Sequence, residues 1–569
     1  MVQMIGNVPS VEGLKRSLKL LMPGLILFCL SLFILHWGWQ IGIRVYDEGI
    51  SVYGAMRVLQ GDLPYGDFRA VYPPGHFYAL ALVFLLFGKS LLVERVYSVI
   101  LMSLIAVLCY SLARRISSAR LAVLSWLMLI LWMASFGYLF YGSNVLPTLV
   151  LSLLSCSLLI NFLQSGSDKH LLLAGAAAGA TVLFRHDVGV YTIISEAAIL
   201  LISALAEARR RDRKALAIPR LLVPTGLYSA AVAAVVLPVL FLLIYHVPTR
   251  YLIADFIEWP AVYHVFRTLP FPTLLPHPFG VFTGEYTPAQ ALRTALNRFV
   301  FYYPIFILFL VSLVVISRFR PRQASAASEP QSRMMPTLLL LLLGITFLNY
   351  VRTLPDNYHL LVPTLPALIL LPAMFSKTGG TSFGKIGLSF RCLTIFFTII
   401  MMITLGRFFL QSPPSAANLS TFILDRARGI QMLPHDVRNI EAAVRCVQEY
   451  VPKDQRIFVG NVRHDRLSVN DIMFYFLSER ESATRYHMFD PGVTTTRDIQ
   501  REIIREIEDN RVTCVVLWYG DEGAIGPNAG GVSSGITDLD HFIRTKFQLV
   551  QRFGDYLILF RRTLDQKNA

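Results

Sequence analysis

The residues best able to do chemistry in this sequence sit in short polar islands between long apolar runs. The first is Val45-Tyr-Asp47-Glu48-Gly-Ile-Ser51, an acid pair just past the end of an apolar run. A carboxylate placed there lies at a membrane surface, partly desolvated yet able to meet a polar head group, which suits a general base. The same pair suits the start of a helix over roughly 48–60, with Asp47 as N-cap and Glu48 at the positive end of the dipole. Downstream lie Leu63-Pro-Tyr65-Gly-Asp67-Phe and Val71-Tyr72-Pro73-Pro74-Gly75-His76. A second island, Phe184-Arg185-His186-Asp187-Val188-Gly189, puts three ionisable residues at a membrane turn. Such residues face a polar cavity or snorkel to the interface. Arg185 matches a phosphate, because a guanidinium offers two parallel hydrogen bonds. The third, Arg352-Thr-Leu-Pro-Asp356-Asn-Tyr358-His359, reads either as a comparable set or as a solvated turn that starts a helix.

The elements that must hold these islands follow from composition. Of 569 residues, 54% are apolar and 16% charged, too hydrophobic a balance for a soluble protein. About 17 to 25 apolar residues cross a bilayer as a helix. Eleven runs qualify: 20–40, 91–113, 121–139, 145–163, 171–184, 188–206, 221–245, 297–317, 335–351, 357–375 and 389–410. The first reads as a retained anchor, since no small-residue cleavage site follows it.

The formal net charge of +15 raises nucleic acid, anionic lipid or an acidic substrate as partners. Sorted by side, the connections on the N-terminal side of the bundle hold 20 Lys and Arg, and the opposite ones hold 9. Basic residues collect on the cytoplasmic face. The excess therefore records topology, with a cytoplasmic N-terminus in the plasma (inner) membrane and no nucleic-acid partner. The cluster Arg209, Arg210, Arg211, Arg213, Lys214 reads as an inner-face stop anchor. Six scattered cysteines, without a CxxC pair, exclude a zinc module and a disulfide scaffold. No Walker A sequence or HExxH is present, so a nucleotide-driven pump is not indicated.

An odd number of spans puts the tail outside. Arg456-Ile-Phe-Val-Gly460, Thr513-Cys-Val-Val-Leu-Trp-Tyr519 and Tyr556-Leu-Ile-Leu-Phe560 read as buried strands, and 436–451 and 497–510 as helices. The chain thus divides into a transmembrane module over 1–410, a linker over 411–430 and an extracytoplasmic α/β domain over 431–569. The loop 246–296, with Asp255-Phe-Ile-Glu258-Trp259-Pro260 and Arg267, is rich in aromatics and prolines. It reads as a segment lying on the membrane surface or as a lid.

The order Asp47-Glu48, Gly61-Asp-Leu-Pro-Tyr65-Gly-Asp67, Tyr72-Pro-Pro-Gly-His-Phe-Tyr78, Gly88-Lys-Ser90 and Arg95-Val-Tyr-Ser98 resembles the N-terminal module of the GT-C glycosyltransferases. These are multi-span enzymes that use polyprenyl-phosphate sugars, among them protein mannosyltransferases and bacterial aminoarabinose transferases. Asn357-Tyr358-His359-Leu-Leu-Val-Pro363-Thr-Leu-Pro366 is similar to their late Tyr-and-Pro helix. The resemblance implies transfer with inversion from a polyprenyl-phosphate sugar donor to an unknown extracytoplasmic acceptor. Asp47, with Glu48, would be catalytic. Asp67, Tyr72, His76, Arg185, His186, Asp187, Arg352, Tyr358 and His359 would bind substrate, with Arg185, His186, Arg352 and His359 facing the leaving phosphate. Many members also carry a second acid in the next outer loop and a divalent cation, Mg or Mn. Here that loop, Tyr138-Leu-Phe-Tyr-Gly142-Ser-Asn144, has no carboxylate, which leaves Glu48 or Asp67 to supply any second ligand. Asn470, Asp471, Arg485 and Tyr486 are similar to residues of the outer domain of certain bacterial members, where they would bind the acceptor or pack the domain. The alternative to an enzyme is a carrier or flippase, which favours ionisable residues deep in the spans, such as Glu196.

Overall fold

The computed structural model describes residues 11–210, 217–275, 280, 282–319, 331–375, 384–411, 418–467, 469–520 and 528–562. The side chains of the Arg209 to Lys214 cluster lie outside the described residues. The chain opens with α1 (Val11–Leu35), α2 (Asp47–Leu59), α3 (Gly75–Phe87), α4 (Leu91–Ile116), α5 (Ala119–Phe136), α6 (Val145–Ser165), α7 (Asp168–Phe184), α8 (His186–Arg210) and α9 (Ala217–His246). It continues with α10 (Thr249–Ile253), α11 (Trp259–Arg267), α12 (Pro288–Phe319), α13 (Gln331–Phe347), α14 (Leu361–Leu370) and α15 (Gly384–Gln411).

Eight helices among the described residues are long and apolar enough to cross a membrane, against eleven runs expected. The other three runs differ from the expectation for separate reasons. The run 20–40 lies in the 25-residue α1, which is shifted toward the N-terminus and ends at Leu35, with turns leading to Ile41. The run 357–375 begins with a polar turn, so α14 and the 3-10 turn after it cover only Leu361 to Met374. The run 171–184 is a 17-residue helix, α7, seated between α6 and α9. Its Gly175 and Gly179 form the small-residue spacing that lets helix backbones approach closely. A Cβ on Gly175 would meet the Tyr228 carbonyl oxygen of α9 at 2.5 Å.

The stretch 41–90 contains α2, where a helix over roughly 48–60 was expected, and a further helix, α3, that was not. The thirteen mostly apolar residues of α3 make about 20 Å of helix, too short for a span and therefore missed by a span-length reading. The N-cap of α2 is Tyr46, so Asp47 is its first helical residue and not its cap. Glu48 instead accepts the backbone N–H of Arg44 at 3.1 Å, in the turn just before the helix. Glu48 is fully buried and paired with Arg95 of α4, Nε to Oε1 at 2.9 Å and Nη2 to Oε2 at 3.0 Å. Arg95 also donates to the carbonyls of Trp39 at 2.6 Å and Gly42 at 2.7 Å, which fixes the chain entering α2. Gly142 backs onto this pair at φ +69°, and a Cβ there would lie 2.7 Å from the Glu48 Cα. Gly142→Ala should therefore destabilise the fold by at least about 1–2 kcal/mol from the left-handed backbone alone. Thermal unfolding in detergent measures this.

The tail carries β1 (Ser420–Thr421), β2 (Gln431–Met432), α16 (Pro434–Tyr450), β3 (Phe458–Asn461), α17 (Met473–Ser478), α18 (Arg497–Asp509), β4 (Cys514–Trp518), α19 (Asp538–Lys546), β5 (Phe547–Phe553) and β6 (Tyr556–Arg561). One sheet has the order β3-β4-β6-β5, with β3 and β4 parallel and the remaining pairs antiparallel. Its three buried strands and two principal helices fall where the apolar runs and helical spacing placed them. The exposed edge strand β5 carries no apolar run and was not anticipated. From residue 418 the expected linker is built structure. β1 pairs with β2, and Phe422, Leu424, Ala427 and Ile430 are buried. Gly42 N–H donates to the Gln431 carbonyl at 2.8 Å, and Gln431 N–H to the Gln40 carbonyl at 2.7 Å. With α2, α3, α16 and α17 sharing one apolar core, the tail is fastened to the bundle rather than tethered to it.

Candidate active site

Between the helix ends and the tail domain lies a cavity of about 620 Å³. Its floor comes from the start of α2 (Arg44, Tyr46, Asp47) and from Tyr72. One wall is the turn Arg185, His186, Asp187. A second is the segment from Asn349 to His359, and the roof is α11 with Trp259, Tyr263, His264 and Arg267. Asp490 closes it from the tail domain.

Asp47 is about one-third exposed and pairs with the Arg44 guanidinium. That guanidinium also donates to the Leu139 carbonyl and lies 5.7 Å from the Tyr358 ring centroid. Arg185 bonds Asp187 at 3.1 Å and the Asn144 side-chain oxygen at 3.2 Å. It sits 4.6 Å from the Tyr350 ring and 5.6 Å from the Tyr72 ring. Aromatic faces on a desolvated guanidinium stabilise its charge without neutralising it. Tyr358 O–H is 2.7 Å from Ser143 Oγ, and burial pushes its phenol up to about 12. His359 Nδ1 is 2.8 Å from Asp356, whose side chain also accepts the His359 N–H at 2.8 Å. Burial works against the Asp356 charge, but these His359 bonds outweigh it and hold its carboxyl below the usual range.

Asp47, Tyr72, Arg185, His186, Asp187, Tyr358 and His359 are thus brought together as sequence reasoning grouped them. Four others are not. Glu48 lies behind the cavity floor, committed to Arg95. His76 is buried with Nε2 2.7 Å from Ser51 Oγ. Asp67 accepts the Leu63 N–H at 2.8 Å within its own turn. Arg352 is exposed and outside the cavity lining. The tail residues singled out by the resemblance are occupied in packing. Asn470 bonds the backbone of His487 and Phe489, Asp471 accepts from Tyr556 at 2.6 Å, Arg485 donates to the Tyr65 carbonyl at 2.7 Å and Tyr486 to Glu502 at 3.1 Å.

Two participants were not foreseen. Arg44 is an isolated arginine next to the acid pair, and only proximity to Asp47 could have marked it. Asp490 joins residues more than 200 positions away. It accepts from Arg69 at 2.7 Å, Arg267 at 3.1 Å, Tyr46 at 3.1 Å and Trp259 at 3.2 Å. The segment 249–267 is therefore a helical roof latched onto the tail domain, with His264 also 2.6 Å from Thr353 Oγ1.

Burial raises the Asp490 carboxyl, but Arg69 and Arg267 outweigh it and leave its pKa depressed. A depressed folded pKa gives stability that is present above the unfolded value, about 3.9, and lost as pH falls through the folded one. Neighbouring Asp255 has a raised carboxyl, chiefly from burial, and acts in the opposite sense. Below the unfolded value its contribution is already complete. The roof should accordingly loosen on acidification below about pH 4, read as faster amide exchange over 249–267, and Asp490→Asn should loosen it at neutral pH.

Residues 71–223 match the family described as dolichyl-phosphate-mannose-protein mannosyltransferase, in agreement with the GT-C resemblance. No curated protein sequence matches the chain. Among solved structures, ArnT from Cupriavidus metallidurans bound to undecaprenyl phosphate is 14% identical, with a TM-score of 0.46 over 96% of this chain and 98% of that one. The archaeal oligosaccharyltransferase AglB from Archaeoglobus fulgidus, in complex with an inhibitory peptide and a dolichol-phosphate, is 11% identical, with a TM-score of 0.47 over 87% of this chain and 69% of that one.

Proposed function

We propose that this chain is a membrane glycosyltransferase that moves a sugar from a polyprenyl-phosphate carrier to an acceptor on the extracytoplasmic side, with inversion. The carrying observation is the cavity itself, where a partly exposed carboxylate on Asp47 shares one enclosed space with Arg185 and with aromatic walls. The family match over 71–223 supports the same chemistry, since that segment supplies Tyr72 and the Arg185 turn. The acceptor hydroxyl attacks C1 of the sugar and gives its proton to Asp47. The C1–O bond to phosphate breaks, and the charge that develops on polyprenyl phosphate meets Arg185, with His186 and His359 nearby. Fixed dipoles and cations in an enclosed site act more strongly than in water.

The basic-residue asymmetry supports a cytoplasmic N-terminus and an extracytoplasmic tail domain in the plasma membrane. The carrier alternative draws no support from Glu196, the ionisable group deepest in the spans. Its oxygens are taken by Ser155 at 2.8 Å and Tyr228 at 2.6 Å, which makes it a clamp between α6, α8 and α9. The test is purified protein in lipid with a panel of polyprenyl-phosphate sugars, and the readout is release of polyprenyl phosphate. Release with at least one donor is expected. Absence of release with every donor, together with movement of a carrier between leaflets, would favour the flippase.

A further inference from the structure

The geometry points to Arg44 as a built-in cation that takes the place of a divalent metal beside Asp47, a proposal that rests on the reading of Asp47 as the base. The acids present do not fit a metal site. A divalent cation of the Mg or Mn type needs several oxygen ligands, carboxylates among them, free to converge. Every carboxylate that lines the cavity already has a partner: Asp47 has Arg44, Asp187 has Arg185, Asp356 has His359, and Asp490 has Arg69 and Arg267. Among the described residues no three His, Cys, Asp or Glu side chains are grouped to hold an ion. Glu48 and Asp67, the remaining sources of a second ligand, are committed to Arg95 and to the Leu63 N–H.

The segment Tyr138 to Asn144 shows what replaces the ion. It has no carboxylate to offer, and it gives the Leu139 carbonyl to the guanidinium that also holds Asp47. Arg44 thus ties the start of α2 to the Tyr138 to Asn144 segment. The nearby Tyr358 ring supports its charge. A dication entering the same space would be repelled by Arg44 and would have to displace it. Arg44 is a positioning residue. It orients the Asp47 carboxylate and adds positive potential on the floor opposite Arg185.

Two measurements test this. Titration of the purified wild-type protein with Mn²⁺, followed by the electron paramagnetic resonance signal of the free ion, should show no more binding than Asp47→Asn. Transfer should be unchanged by chelator within about twofold. Arg44→Gln should lower kcat at least tenfold with the donor KM little altered, and Arg44→Lys should recover much of the loss. Stoichiometric Mn²⁺ binding that disappears in Asp47→Asn, chelator inactivation reversed by Mg²⁺ or Mn²⁺, or full activity of Arg44→Gln would each overturn the proposal. The wild-type titration holds whether or not the Arg44 variants fold. It also separates this proposal from the one beneath it: no transfer with any donor refutes the transferase reading, while the titration still reports whether Asp47 binds an ion.

Discussion

Replacing Asp47 by Asn should lower polyprenyl-phosphate release by about 10²- to 10⁴-fold, the usual contribution of a positioned general base. The carboxamide keeps the size of the side chain and can still accept a hydrogen bond from Arg44, so the loss isolates the proton-accepting role. Asp47 is the first residue of α2, is one-third exposed to the cavity, and supports no buried network. Expression, detergent extraction and thermal unfolding should therefore match wild type. The measurement is single-turnover release of carrier phosphate at saturating donor. A variant with wild-type turnover would remove Asp47 from the mechanism.

Its neighbour should behave in the opposite way. Glu48→Ala strands the buried Arg95 guanidinium, and breaking a buried ion pair by removing one partner costs about 3–5 kcal/mol. The loss should appear in unfolding temperature and in yield of monodisperse protein, since Arg95 also ties down the carbonyls of Trp39 and Gly42. Whatever activity survives should scale with the folded fraction. An unfolding temperature equal to wild type would show that Arg95 finds another partner. Adjacent acids thus separate into one that faces the cavity and one that holds the loop, because successive helical residues are about 100° apart on the helix and point in different directions.

Much of the site was legible because its residue types are costly where they sit. Arg185, His186 and Asp187 stand at a membrane turn that would otherwise be apolar, and Asp47 follows a long apolar run, so polarity in the wrong solvent marked both. The pair Asp47-Glu48 could not be resolved in the same way, since adjacent carboxylates look alike until helix phase and the position of Arg95 are known. Asp490 left no local signal at all. An acid in a polar tail becomes part of the site only when the chain brings Arg69, Arg267, Tyr46 and Trp259 to it.

By itself the sequence determined the membrane-spanning class, the side bias of its basic residues, and three of the four strands and the two principal helices of the tail's main sheet domain. These depend on composition, length and period, which are local properties of the chain. Only the tertiary structure decided that 41–90 holds a second helix, α3, that 249–267 forms a roof, and that Glu48 belongs to the core while Arg44 and Asp490 belong to the cavity. These depend on which groups meet across hundreds of residues, where burial and pairing set the energy of each charge.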